Sequence, residues 1–77
     1  MGLHQAITGK IYIISQIDFE QNIEMGTRLL HLGFLPNEKV KVIRKPPFTS
    51  DSMLIEVRGT SMALTKTEAK LIQIKES

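Results

Sequence analysis

A helix that reaches Leu32 in this sequence cannot go further. Gly33 can take the left-handed C′ conformation without a Cβ penalty, Phe34 can fold back over the last turn, and Pro36 lacks the amide that another turn would need. Upstream, Asp18 with Gln21 three residues later matches a reciprocal N-capping pattern, and apolar residues recur at helical spacing from there to Leu32. One helix of about three turns is therefore expected. No other stretch is long enough for a second helix of that size, so the rest of the chain must fold by strand pairing.

The remaining patterns have the strand period of two. Lys10 to Ile17 is β-branched and reads as a central strand, with Ile11, Ile13 and Ile17 on one face and Tyr12 and Ile14 on the other. Lys39-Val40-Lys41-Val42 places valines inward and lysines outward. Met53, Ile55 and Val57 alternate with Leu54, Glu56 and Arg58. Gly59-Thr60 supplies a tight turn into Met62-Ala63-Leu64, Thr65-x-x-Glu68 forms a capping box for one helical turn, and Leu71 to Ile74 makes the last strand. The expected fold is mainly β: a small, partly open barrel of about five strands. One α-helix lies between the first two strands and a short helical turn precedes the last. Either an SH3-like or an OB-like barrel satisfies that count.

Size and composition limit what such a barrel can do. The chain has 77 residues, 42% hydrophobic and 23% charged, which reads as one folded domain over 1–77 with no room for a cleft between lobes. The absence of cysteine removes disulfides, thiolate metal sites and thiol nucleophiles together. No apolar run approaches the ~20 residues of a membrane span and the start lacks signal-peptide character, so a cytoplasmic location is expected.

Reactive chemistry is poorly supplied. Thr8-Gly9-Lys10 resembles the end of a phosphate loop, but His4 stands where its first glycine would be and Ile11 replaces the magnesium-binding hydroxyl. His4 and His31 have no serine or threonine partner in a catalytic pattern, so no enzymatic activity and no cofactor are expected. Glu20, Glu24 and His31 share the polar helix face, yet Glu24 and His31 are separated by about 10 Å along the axis at ~1.5 Å per residue. No metal site is expected, and Glu24 is placed to pair with Arg28. Lys39, Lys41 and Lys45 share a strand face, but with one tyrosine and three phenylalanines the chain lacks a base-stacking platform, so nucleic acid is a minor alternative.

Two features point to a protein partner. Phe19, Ile23, Gly26 and Leu30 form one apolar helix stripe, and Met25, Leu29 and Leu32 a second beside it, a wider arc than one small barrel needs, so the second stripe either meets a partner or is covered by N-terminal residues such as Leu3. Met25 and Leu29 are the candidate contact residues there. In the loop after the second strand, Pro46-Pro47 stiffens the chain and presents Phe48 beside Arg44, a combination typical of interface anchors.

Taken together, Arg28-Leu29-Leu30-His31-Leu32-Gly33-Phe34-Leu35-Pro36, then Val40-x-Val42, Arg44-x-x-Pro47, Glu56-Val57-Arg58-Gly59-Thr60-x-Met62-Ala63-Leu64 and Glu68-Ala69 resemble the ferrous iron transport protein A (FeoA-like) family over nearly the whole chain. The resemblance implies an SH3-like barrel and a non-enzymatic cytosolic accessory role in bacterial ferrous iron uptake. It also implies docking on the cytosolic GTPase region of the membrane ferrous iron transporter B, for which the loop and helix readings above offer Arg44, Pro47, Phe48, Met25 and Leu29 as contacts. Weak self-association is compatible with it. A relative of the barrel at the C-terminus of iron-dependent repressors is the alternative. Three departures stand out: Ala6 replaces the second leucine of the opening Leu-x-x-Leu-x-x-Gly, Asn37 replaces the glycine of a Pro-Gly turn, and Thr49-Ser50-Asp51-Ser52 replaces a Gly-Asp-Pro loop.

Overall fold

The computed structural model describes residues 1–45 and 51–77. After a 3₁₀ turn at Leu3–Gln5 come β1 (Ile11–Ile17), α1 (Ile23–His31), β2 (Lys39–Arg44), β3 (Ser52–Val57), β4 (Thr60–Thr65), α2 (Lys66–Lys70) and β5 (Ile72–Glu76). The strands form one antiparallel sheet in the order β4-β3-β2-β1-β5. It is not closed, which makes the expected partly open, SH3-like barrel. Among the described residues no helix is long and apolar enough to cross a membrane.

Strands β2 and β3 form as the alternation requires: Val40, Val42, Met53, Ile55 and Val57 are buried. β1 departs from it. Its register with β5 runs Ile14↔Ile74 and then Gln16↔Gln73, so the strand carries a bulge after Ile14. The extra residue reverses the alternation, and Ile17 joins Tyr12 and Ile14 in the core while Ile11 is exposed. The expected face of Ile11, Ile13 and Ile17 is thereby corrected.

Helix α1 starts four residues later than Asp18 suggests. Asp18 does accept from the Glu20 amide at 3.1 Å and from Gln21 Nε2 at 2.9 Å, but these bonds stabilise a turn. The N-cap is Asn22, whose side chain accepts from the Met25 amide at 3.0 Å. The other end is as the sequence dictates. Gly33 has φ 106°, its amide donates to Leu30 and the Phe34 amide to the Leu29 carbonyl, each at 3.1 Å, which is a Schellman cap. Phe34 is fully buried. Pro36-Asn37 then turns the chain into β2, with Asn37 at φ 74° and the Glu38 amide donating to Leu35 at 3.1 Å.

Helix α2 is set by its capping box: the Glu68 amide donates to Thr65 Oγ1 at 3.1 Å and the Thr65 amide to Glu68 Oε1 at 2.9 Å. Glu68 is the buried charge among the described residues, and its Oε2 meets Arg28 Nη1 at 3.0 Å. Arg28 thus ties α1 to α2 instead of pairing with Glu24. On the opposite flank, a Cβ on Gly26 would fall 2.7 Å from the Phe19 ring and 3.4 Å from Ile17, so the missing side chain lets α1 lie close to the end of β1. The two flanks fix the rotation of α1 over the core.

Candidate functional site

The structure separates the residues that the sequence brings forward as contacts. Arg44 is exposed at the end of β2, re-aimed by a bulge between Val42 and Arg44 in the β2–β3 register. Pro47 and Phe48 lie outside the described residues. Met25 is half-buried against the core cluster. Leu29 is 0% exposed, so its placement on an interface is corrected: with α1 held by Gly26 on one side and Arg28 on the other, Leu29 points into the core. The exposed apolar surface is shared by both stripes, with Ile23 71% and Phe19 38% exposed on the first and Leu32 40% on the second.

A cleft of about 460 Å³ opens at the other end of the sheet, with Ile11 and Val40 beneath it and Glu38, Lys39, Lys41 and Arg58 around it. It forms where distant sequence pieces meet. The β3–β4 turn holds both Arg58 (φ 53°) and Gly59 (φ 75°) in the left-handed region, the geometry of a type I′ hairpin. From there the Arg58 stem lies over Gly33, its Cδ 3.2 Å from where a Cβ would sit, and its Nη1 reaches Glu38 Oε1 at 3.1 Å. One arginine therefore links the hairpin tip, the helix stop and the Pro36-Asn37 turn. Lys41 pairs with Glu56 at 3.7 Å, whereas Lys39 has no acid in ion-pair range among the described residues. The cleft presents an apolar floor, two internal ion pairs and one surplus cation. The sequence places the tight turn at Gly59-Thr60, one position past the observed Arg58-Gly59, and gives Arg58 no role; the signal was a long side chain where a tight hairpin prefers Asn or Asp.

The histidines and carboxylates do not gather. Among the described residues no three of His, Asp, Glu or Cys are placed to hold a metal ion. His4 packs against the Gly2 backbone with its Nδ1 buried and without a hydrogen-bond partner among the described residues. Burial pushes its pKa below the ordinary value near 6.5, helped by the charges of Lys70, Lys66, Lys45 and the amino terminus. Its folded pKa lies below its unfolded one, so the unfolded chain binds more protons between them. Stability is full above about 6.5 and falls as pH drops through that window. The melting temperature of wild type should accordingly drop more than that of His4→Gln between about pH 7.5 and 5.5. Equal drops would remove His4 from the account. At the sheet edge, Lys10 and Glu76 pair, which raises the lysine pKa and lowers that of the carboxylate.

Comparison with known proteins fits this geometry. The family model of the FeoA domain matches residues 1–76. The chain belongs to the FeoA family. Among solved structures it is similar to the zinc complex of Stenotrophomonas maltophilia FeoA, described as a prokaryotic SH3-domain protein and candidate activating factor for bacterial ferrous iron transport. That match has a TM-score of 0.85 and 28% identity and covers 97% of this chain and 89% of that one. A FeoA-like protein of Clostridium acetobutylicum aligns with TM-score 0.85 at 21% identity, over 99% of this chain and 85% of that one. A manganese-dependent transcriptional repressor shares the fold at TM-score 0.82 and 14% identity, over 94% of this chain and 39% of that one. No curated protein sequence matches the chain. This FeoA-family chain is thus an SH3-like domain of a family associated with ferrous iron transport.

Proposed function

We propose that this FeoA-family domain is a non-enzymatic cytoplasmic accessory protein that binds the cytosolic GTPase region of the membrane ferrous iron transporter B and modulates uptake. The observation that carries this reading is the cleft organised by Arg58. Three of the sequence pieces that carry the family resemblance converge there: Val40 of β2 and Glu56, Arg58 and Gly59 of the hairpin line it, and the Arg58 stem lies over Gly33 of the helix stop. Arg44 stands exposed at the end of β2, beside the segment that contains Pro47 and Phe48. These three, with Met25, remain the proposed contacts. Iron is the cargo of the transporter in this reading.

The test is an affinity measurement between the purified domain and the transporter's cytosolic region, with and without a GTP analogue. Saturable binding is expected, weakened about tenfold or more by Arg44→Glu at unchanged melting temperature. Absence of binding by wild type would overturn the reading. Repression-linked contacts, which the likeness to a manganese-dependent transcriptional repressor raises only at the level of fold, predict binding to a DNA-binding domain instead.

A further inference from the structure

Strand β4 is one edge of the sheet, and its sequence, Thr60-Ser61-Met62-Ala63-Leu64-Thr65, has no charge and no proline. Folded proteins ordinarily guard such an edge with lysine, proline, a bulge or a covering segment, because unpaired amides and carbonyls template further pairing. The β5 edge is guarded: Gly2 bridges Gln73, and the Ile74 amide donates to the Met1 carbonyl at 2.8 Å. The β4 edge has no such cover among the described residues, and its register with β3 runs without a bulge from Val57↔Thr60 to Ser52↔Thr65.

The two-residue turn determines which groups face outward. A turn of this type closes on a hydrogen-bonded pair, here Val57↔Thr60, and such pairs alternate along an antiparallel ladder. Met62 and Leu64 therefore bond to Ile55 and Met53, while Ser61 and Ala63 turn their N–H and C=O groups away from β3. Neither makes a hydrogen bond to a described residue, and both are exposed. The next amide in that row, Thr65, is already spent on Glu68. The open edge is two residues long and offers two donors and two acceptors.

The geometry points to β4 as the docking strand for an extended segment of the partner protein, uncharged at its centre and acidic at its ends, which adds to the sheet through the backbone of Ser61 and Ala63. Main-chain bonds supply the attraction in such strand addition, and the flanks supply selectivity. Here the flanks are cationic: exposed Arg58 precedes the strand and exposed Lys66 follows it, with Lys70 one turn further on. Arg58 shares its charge with Glu38; at the far end Glu68 is committed to Arg28, and Asp51 approaches through its backbone, its carbonyl accepting from the Lys66 amide at 3.0 Å. A second copy of this chain is the poorer occupant. The antiparallel register that uses all four free groups pairs Ser61 with Ala63 of the other copy and sets Arg58 against its Lys66 at both ends, a like-charge opposition.

This inference rests on the transporter-docking reading and deepens it, so the test uses the transporter's cytosolic region as the probe. Ala63→Pro deletes one outward amide and fills the free side with the ring, yet spares the bonds of Met62 and Leu64 to β3. It should melt close to wild type and bind about tenfold or more weakly, with Lys66→Glu weakening binding by a smaller factor. In wild type, the Ser61 and Ala63 amides should exchange hydrogen faster than those of Met62 and Leu64, and slow on binding; this measurement decides even if Ala63→Pro does not fold. Binding without slowed exchange at Ser61 and Ala63 overturns the edge proposal and leaves the docking reading standing. No binding by wild type overturns both. Concentration-dependent slowing of the same amides in the domain alone would identify a second copy as the occupant and overturn the proposed segment.

Discussion

Leu29→Glu is expected to abolish the folded state. Leu29 is fully buried, so the substitution removes a core side chain, worth about 2–5 kcal/mol for leucine. It also drives a carboxylate into a site with no cation assigned to it, because Arg28 is already committed to Glu68. An unpaired buried charge adds several kcal/mol more, even after its pKa shifts to neutralise it. A domain of this size has roughly 4–12 kcal/mol to lose, at about 0.05–0.15 kcal/mol per residue. Circular dichroism should show loss of the cooperative melt. A stable, cooperatively melting variant that had lost only partner binding would return Leu29 to the surface and overturn the described packing of α1.

Phe34→Ala comes next in size, at about 3–5 kcal/mol. Phe34 is at once a core residue and the C″ position of the cap that ends α1, its amide held by the Leu29 carbonyl. Truncation leaves a cavity under the helix end and takes the hydrophobic contact from the Schellman motif. The loss should appear as a lower denaturant midpoint at nearly constant slope. A shift of less than about 1 kcal/mol would mean that the ring is not packed as described.

How much of this was legible depended on whether the deciding interaction is local. The stop at Gly33-Phe34, the turn at Pro36-Asn37 and the Thr65–Glu68 box are settled by residues a few positions apart, and each forms as the chain dictates. The start of α1 was misread because Asp18 meets the same local demand by forming a turn, leaving Asn22 to cap the helix. The β1 bulge depends on the register with β5, which no periodicity in β1 contains. The contact surface was least legible. Two adjacent apolar stripes say that part of α1 is buried, but its rotation follows from Gly26 against Phe19 and Arg28 against Glu68, and the second of these spans 40 residues of sequence. Arg58 escaped for a similar reason: its neighbours Gly33 and Glu38 come from the other side of the chain's middle.

The placement of β1 in the interior of the sheet bears on how the chain acquires its structure. Its pairing with β5 joins Ile14 to Ile74, sixty residues apart, and the Gly2 bridge to Gln73 spans still more. Neither set of bonds can form while the chain is being synthesised until residues 72–76 have cleared the ribosome, so a nascent β1 has only β2 as a ladder partner and leaves its other edge open. Such non-local closure lowers folding rates, since loop entropy is lost before the contacts repay it. The β1–β5 ladder should therefore be among the last parts of the sheet to gain protection in pulsed hydrogen exchange.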